Sequence, residues 1–506
     1  MKHILIIAAV LTAFSMSMAI DWPQFKRTPD RRGAALEETI ALPANLCSWF
    51  DFGSPITSSP AIVDGKAYVM ANNGILACLD LAANKVLWSR SLGGRTNDMS
   101  PAVANGRVYA GAVTGIFYVL DAMNGSIIKQ YDAGAPIFAA PLLLPSGVYF
   151  GSFDAVFHAL DLDGNSKWRD TAEVSILHAA AFSKGQIVYP DRNTNLYWIE
   201  DSGTYAKRVK KVRYSPTTYN SNTGFVTYPM IWGDSIYIAG SEGEMANQFY
   251  YINFNTGTIA KGVSISGGGN AGALVVGGAS VDTVLKKVFA ASNLGGLWAG
   301  WETAPSYSAY PVGIYSVNTP PAVLANCVVF GSENNQDTGG CAIHFYNKSN
   351  GTALWSFKPS TYKAISGGIA VGNGIVLAGS MDGYLYGFGS GAAVTVPVKV
   401  DTVIGGTKAD NVNKKGAGEW ILTAFPNPAG NSPLVFDFMG LNGAAVIEIY
   451  SVNGVLITKL PLQNGVKKVV WDLKDINGMR VAGGRYHAVA KTGIIGQKKS
   501  FTVYLP

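Results

Sequence analysis

One pattern returns along most of the chain and restricts its fold more than any composition could. Ser59-Pro60-Ala61-Ile62-Val63-Asp64-Gly65-Lys66-Ala67-Tyr68-Val69 leads to Gly74-Ile75-Leu76-Ala77-Cys78-Leu79-Asp80 and then to Val86-Leu87-Trp88. The order comes back from Ser100 to Tyr109 and Gly115 to Asp121, and again from Pro141 through Gly147 to His158-Ala159-Leu160-Asp161 and Trp168. A fourth copy runs from Ala180 to Tyr197-Trp198-Ile199-Glu200, and a fifth from Pro229 to Tyr251-Ile252-Asn253. The sixth is degenerate, keeping Lys287-Val288-Phe289-Ala290 and Leu297-Trp298-Ala299-Gly300-Trp301. The seventh (Pro321 to Trp355) and the eighth (Gly368 to Tyr386) are clear. A period of about 40 to 50 residues marks a solenoid, a propeller or an array.

Each unit holds four short segments separated by turn dipeptides such as Asp64-Gly65, Asn105-Gly106, Asn124-Gly125 and Asn373-Gly374, which close hairpins by supplying positive φ. The segments are too short for helices, and most alternate apolar with small or polar residues. Four antiparallel strands per repeat make a propeller blade, whereas a solenoid would leave two ends to cap. Here the ends match each other. The eighth unit supplies three strands and dissolves into Gly387-Phe388-Gly389-Ser390-Gly391, while Leu46-Cys47-Ser48-Trp49-Phe50-Asp51-Phe52-Gly53 copies the outer strand at Leu87-Trp88. Residues 46–52 are therefore expected to pair with 383–388 and seal an eight-bladed ring, removing two open sheet edges.

Composition agrees. Hydrophobic residues make up 48% and charged ones 14%, against a typical charged share of about 25%, which excludes global disorder. Gly 59, Tyr 24 and Trp 11 suit an all-β chain rich in turns. A net charge of +6 is too mild for a nucleic-acid partner.

The N-terminus has a basic start, an apolar run from Ile4 to Phe14 and small residues at Ser17 and Ala19. The run covers about 11 residues, against the roughly 20 that cross a bilayer, so residues 1–19 read as a secretory signal cleaved after Ala19. No Cys follows it to carry a lipid, and no later stretch is long and apolar enough to span a membrane, so a soluble exported protein is expected. Cys47, Cys78, Cys327 and Cys341 are too few for a disulfide framework in 506 residues. Buried free thiols are favoured, and none of the four has metal-ligand spacing.

The repeat resembles the quinoprotein-like propeller family, with its PQQ-like repeats, through an Asp ending the third strand, a Gly turn and a Trp in the fourth: Asp80 with Trp88, and Asp161 with Gly164 and Trp168. Asp21-Trp22-Pro23-Gln24-Phe25-Lys26-Arg27-Thr28 is similar to the segment that precedes many such propellers. The resemblance covers about residues 21–390, and the propeller domain is expected over 20–390. It implies either a quinone-dependent dehydrogenase, with PQQ and Ca²⁺ in the central funnel, or an exported propeller that acts as a non-catalytic scaffold. The chain has no adjacent cysteine pair and no alignable Ca²⁺-ligand set, so the second group is expected, with no cofactor and no metal.

Residues 391–418 are rich in small and polar residues and read as a linker. Six or seven strand-like segments between 419 and 506 suggest a small Ig-like β-sandwich. Its motifs Phe425-Pro426-Asn427-Pro428, Ile449-Tyr450-Ser451-Val452-Asn453-Gly454, Trp471-Asp472, Ala482-Gly483-Gly484-Arg485-Tyr486 and Lys498 to Tyr504 resemble, in order, the C-terminal sorting domain of type IX secretion. What this implies is recognition of the tail by that machinery at the outer membrane, after passage through the periplasm, and delivery to the cell surface or medium.

Chemistry is thinly marked. His158 and His344 fill third-strand positions that other repeats give to apolar residues and read as structural. His178, at the entry to the fourth blade, is the best lone candidate. Gly267-Gly268-Gly269-Asn270 has no helix after it and reads as a loop, and Asp161-Leu162-Asp163-Gly164-Asn165 lacks the distal Glu of a Ca²⁺ loop and reads as the repeat's turn. Lys207, Arg208, Lys210, Lys211 and Arg213 form a cationic stripe on an outer strand. It is either a solvated edge that resists strand addition or a site for an anionic polysaccharide or glycolipid. Trp298, Trp301, Tyr307, Tyr310 and Tyr315 gather in the irregular sixth blade, where aromatic faces could stack on sugars. The expected function is binding of a protein or polysaccharide. The competing class is an enzyme, a divergent quinone-dependent oxidoreductase or a carbohydrate-active propeller.

Overall fold

The computed structural model describes residues 21–93, 99–214, 223–242, 247–264, 275–292, 296–301, 308–309, 317, 319–333, 341–400, 421–425, 434–439, 445–451, 456–463, 468–481, 484–492 and 498–505. The leader at 1–19, the Gly267 loop, and Tyr307, Tyr310 and Tyr315 lie outside them. All regular elements among the described residues are strands.

Eight sheets follow one another along the chain as the blades of a propeller. The first runs from its inner to its outer edge as Ala61–Val63, Lys66–Met70, Ile75–Asp80 and Lys85–Ser91. Its relatives span 102–132, 142–171, 181–213, 223–264, 275–309 and 322–357. In the first, second, fourth and eighth blades the first hairpin turns on a residue at positive φ followed by glycine, as at Asp64 (51°) and Gly65 (70°) or Asn373 (54°) and Gly374 (70°), which is the geometry that keeps a twisted hairpin closed.

The eighth sheet is made from both ends of the ring. Ala370–Gly372, Ile375–Gly379 and Tyr384–Gly389 are completed by Asn45–Asp51, antiparallel, with Trp49 opposite Tyr386 and Phe50 opposite Leu385. Closure by 46–52 is thus as expected. An apolar cluster carries Phe50 and Phe388 into Ile62 of the first blade and Val329 of the seventh. Each such fully buried side chain contributes about 1.5–3 kcal/mol.

The stretch expected to begin the linker behaves differently up to residue 400. Val398–Lys399 pairs in parallel with the outer edge of the closing strand, the Val394 amide donates to the Leu46 carbonyl (2.8 Å) and the Val400 amide to that of Asp51 (2.7 Å). Valine at every second position from 394 to 400 is the strand signal for this, hidden among small polar residues. An edge borrowed from the far end of the chain is in this way covered.

The repeated Gly and Trp are explained by contacts between neighbouring blades, and the repeated Asp by its own turn. The Trp88 indole donates to the Ala122 carbonyl at 2.9 Å, and its ring lies against Gly125, where a Cβ would stand 2.5 Å away. Trp168 donates to Asp201 at 2.7 Å. Asp121 and Asp161 cap their turns by accepting backbone amides two to four residues on. His158 and His344 each lie between two hydroxyls, Tyr131 and Ser152 or Ser356 and Ser332, and stack on Phe150 or Phe330. The four cysteines are buried and unbridged.

Among the described residues between 421 and 505 lie seven strands in two sheets. One holds Ile421–Phe425, Leu434–Met439 and Lys468–Trp471; the other holds Leu456–Leu462, Ala445–Ser451, Gly484–Thr492 and Lys498–Leu505. Phe436, Ile447, Ile449, Trp471 and Tyr486 form one buried cluster drawn from both.

Candidate functional site

The segment before the first blade threads the axis of the ring. Trp22 exchanges both backbone hydrogen bonds with Ile62 (2.7 and 2.9 Å). From there the chain passes the inner strands in order: Pro23, Pro29, Asp30, Arg32 and Gly33 offer carbonyls to the amides of Val103, Phe182, Ile231, Val281 and Val323 at 2.7–3.0 Å. At the third blade the Gln24 side chain substitutes, accepting from the Leu143 amide (3.0 Å) and donating to its carbonyl (3.3 Å). Glu38 reaches the hairpin of the eighth at the Gly374 amide (3.2 Å). The seven inner-strand donors occupy the same position of the repeat, where an unpaired buried amide would otherwise cost about 1–3 kcal/mol.

Two buried cations hold this strap on the axis. Lys26 donates to the Pro321 carbonyl (2.7 Å) and to Ser280, across the ring from the third blade that Gln24 holds. Arg31 donates to the carbonyls of Ala180 (2.8 Å), Pro141 (3.1 Å) and Phe25 (2.6 Å). Neither cation has a carboxylate among its hydrogen-bond acceptors, and burial lowers the pKa of both, Arg31 to about 9 and Lys26 well below the ordinary lysine range.

On the other side of the strap lies an axial cavity of about 880 Å³. Its floor is Phe25 edge-on against Tyr228, ring centroids 4.7 Å apart, with the Arg31 guanidinium 5.7 Å from the Phe25 ring. The wall comes mainly from the crossovers that lead into each inner strand, Thr57 and Ser59, Ser100, Phe138, Leu177 and His178, Val226 and Thr227, and Ser366. Glu333 and Met381 reach it from the turns after the second strands of the seventh and eighth blades.

His178 is thus brought to the cavity. Its Nε2 lies 3.1 Å from the Phe225 carbonyl, which makes Nε2 the donor and leaves Nδ1 as the acceptor of the neutral ring. Burial chiefly, with Arg192 adding, lowers its pKa to about 4. The Ser59 and Ser366 hydroxyl oxygens are shielded from solvent and have no hydrogen-bond partner among the described residues. Ser100 and Thr227 each accept one amide, from Ser59 and Ala239, at 2.9 Å. His178, an odd histidine at the entry to the fourth blade, and the Ser-Pro before the first two inner strands were the sequence marks of this wall, while Phe138, Tyr228 and Glu333 carried none.

The other candidates are placed elsewhere. Trp298 and Trp301 belong to the third strand of the sixth blade, opposite Ala290 and Lys287. Trp301 stands at the hairpin end of its sheet rather than at the crossover end where the cavity opens. The cationic stripe lies on the outer strand of the fourth blade, and its charges have partners. Lys207 pairs with Glu200 (2.8 Å), Arg208 with Asp170 (2.6 Å) and Lys211 with Glu173. Lys210 donates to the Asn255 carbonyl above the Trp198 ring, and Arg213 to Asn193 (3.2 Å). The stripe thereby stitches the fourth blade to the third and the fifth.

Known proteins share this architecture. A PQQ-type family model described as outer membrane protein assembly factor BamB matches residues 48–131 and 72–299. The outer membrane protein assembly factor BamB of Moranella endobia (strain PCIT) is 45% identical over 42 residues, 8% of this chain and 11% of that protein's length. Among solved structures, BamB from Moraxella catarrhalis superposes with a TM-score of 0.53 at 13% identity, over 70% of this chain and 99% of that one. Quinohemoprotein alcohol dehydrogenase from Comamonas testosteroni does so with 0.57 at 13% identity, over 74% and 81%. At such identities the likeness is one of fold.

Proposed function

We propose that this chain, a β-propeller of the PQQ-like type, is an exported, non-catalytic binding module whose ligand enters the axial cavity. The observation that carries the proposal is the cavity itself, walled by the crossovers of the ring and floored by the strap. Its volume falls in the range of about 300–1,000 Å³ usual for ligand sites. What it presents is suited to holding a molecule. His178 is bonded to a backbone carbonyl rather than to a hydroxyl or carboxylate, so the described wall assembles no nucleophile–base pair.

A quinone with a divalent ion, suggested by the dehydrogenase neighbour, calls for several carboxylate ligands and for free cations. The described wall offers one carboxylate, Glu333, and no three His, Cys, Asp or Glu side chains gather among the described residues. The cations below the floor are committed to Ser280, to the Gln24 side chain and to backbone carbonyls. These residues do not fit such a pair. Titrating the exported protein with PQQ and Ca²⁺ tests the proposal: no stoichiometric uptake is expected, and a redox-active complex would overturn it in favour of an oxidoreductase.

Export is proposed on two features. Residues 1–19 have the make-up of a cleaved secretory signal, and residues 419–506 carry, in order, motifs that resemble a type IX sorting domain. The buried Trp471 and Tyr486 of those motifs, within two small sheets, support an Ig-like module there. The cationic stripe is left out of the binding site because Lys207, Arg208 and Lys211 are paired with carboxylates and Lys210 and Arg213 donate to Asn255 and Asn193.

A further inference from the structure

His178 departs from the repeat that surrounds it. In the first, fifth and seventh blades the residue three places before the inner strand is bonded to the second strand of its own blade. Ser58 donates to the Met70 carbonyl (2.6 Å), Thr227 accepts from the Ala239 amide (2.9 Å), and Thr319 takes both the amide and the carbonyl of Gly331 (2.6 and 3.1 Å). In the fourth blade that place on the second strand is held by Pro190, which has no amide to give. His178 turns instead to the next blade, where its Nε2 donates to the Phe225 carbonyl at 3.1 Å. Its Nδ1 keeps a lone pair, and no donor meets it among the described residues.

The wall around His178 is apolar. Phe138, Leu177 and Val226, from the third, fourth and fifth blades, are half-buried in it, as Phe25 is in the floor. Across the cavity the serines withhold their hydroxyls: those of Ser59 and Ser366 are shielded from solvent, and Ser100 is 1% exposed. An ion entering this space would shed its hydration with only Glu333, the single charge of the described wall, to receive it. A molecule with no proton to donate would leave Nδ1 without the partner it has in water. An aromatic ring with one donor meets both demands.

We propose that the cavity binds a neutral, apolar phenol, with its ring against Phe138, Leu177 and Phe25 and its O–H given to Nδ1 of His178. This rests on the propeller being a binding module with the axial cavity as its site.

The test titrates the full exported protein by calorimetry with para-butylphenol, its methyl ether, tyramine, para-hydroxybenzoate and hexanol. His178→Leu, His178→Gln and Leu177→Trp are titrated beside it, after their unfolding midpoints are checked. Para-butylphenol should bind best, about fivefold more tightly than its methyl ether, the size of one hydrogen bond. His178→Leu should erase that difference, and His178→Gln, which both gives and accepts, should restore it. Leu177→Trp should weaken binding roughly tenfold or more by filling the space. Equal affinity of the wild-type protein for phenol and ether, a comparison that needs no variant, would overturn the role of His178. Full binding by a folded Leu177→Trp would place the site elsewhere. Tighter binding of tyramine, hydroxybenzoate or hexanol, blocked by Leu177→Trp, would fell the phenol assignment and leave the binding module standing. If none of the probes binds, the phenol assignment falls by itself, because the wider reading is answered separately by the titration with PQQ and Ca²⁺.

Discussion

Ser59 of the first blade and Gly368 of the eighth meet at the inner seam of the ring with no space between them for a methyl group. A Cβ built on Gly368 would overlap the Ser59 hydroxyl and stand 2.8 Å from its Cβ. The ring is therefore shut in two places, by this close approach near the axis and by the borrowed strand at the rim.

Gly368→Ala should destabilise the protein by about 1–3 kcal/mol, the usual cost of overpacking, and Ser59→Gly in the same chain should restore most of it. Denaturant unfolding of the two single variants and the double measures the coupling. Additive losses would mean that the seam is not where the strain arises.

Val400, packed at 4% exposure beside the closing strand, offers a second lever. Val400→Asp buries a carboxyl without a partner and should cost about 1–3 kcal/mol. By freeing the outer edge of Asn45–Asp51 it should also promote association, seen by light scattering. A monomeric variant with an unchanged midpoint would show that residues 394–400 do not guard this edge.

Lys26→Met should stabilise the protein at neutral pH by about 1–3 kcal/mol, since a buried cation with no acid acceptor is replaced by a chain of similar length. The Ser280 hydroxyl keeps its bond to the Pro321 carbonyl at 2.5 Å. The sign of the pH dependence follows from the lowered Lys26 pKa. As pH rises toward the unfolded value of about 10.4, the folded chain gives up the Lys26 proton before the unfolded one does, so wild-type stability rises with pH through that interval. The gap to Lys26→Met should narrow accordingly in unfolding curves taken from neutral to alkaline pH.

His158 and His344 act with the same sign at the acid end of the pH scale. Burial lowers both to about 4, against about 6.5 unfolded. As pH falls through that interval the unfolded chain gains protons that the folded one refuses, so stability is lost, by about 3 kcal/mol for each histidine at the acid end. His344→Gln should flatten this slope while leaving stability at neutral pH lower, because Ser332 and Ser356 lose a well-placed partner.

Deleting residues 419–506 should strand the propeller in the periplasm, detected by fractionation and immunoblotting. Undiminished secretion would remove the sorting role proposed for the tail.

The blade count, the hairpins and the rim closure were readable because each depends on neighbours in the chain. Asp64-Gly65 closes its own turn, and Leu46 to Gly53 looks like every other outer strand. His178 could be noticed as an odd histidine, but the groups that make its surroundings a cavity, among them Ser59, Ser366 and Phe138, come from crossovers far apart in the chain. Nothing in their local spelling announces that they face one another.

The strap shows the same division most clearly. A repeat records side-chain demands that recur at each blade, so eight units declare themselves in letters. The strap meets those units mainly through backbone carbonyls, which every residue type possesses, and so leaves no periodic trace from Pro23 to Gly33. Where that segment runs, and hence that it floors the axial cavity, was settled when the closed ring brought seven inner-strand amides around a common axis and burial obliged each to find an acceptor.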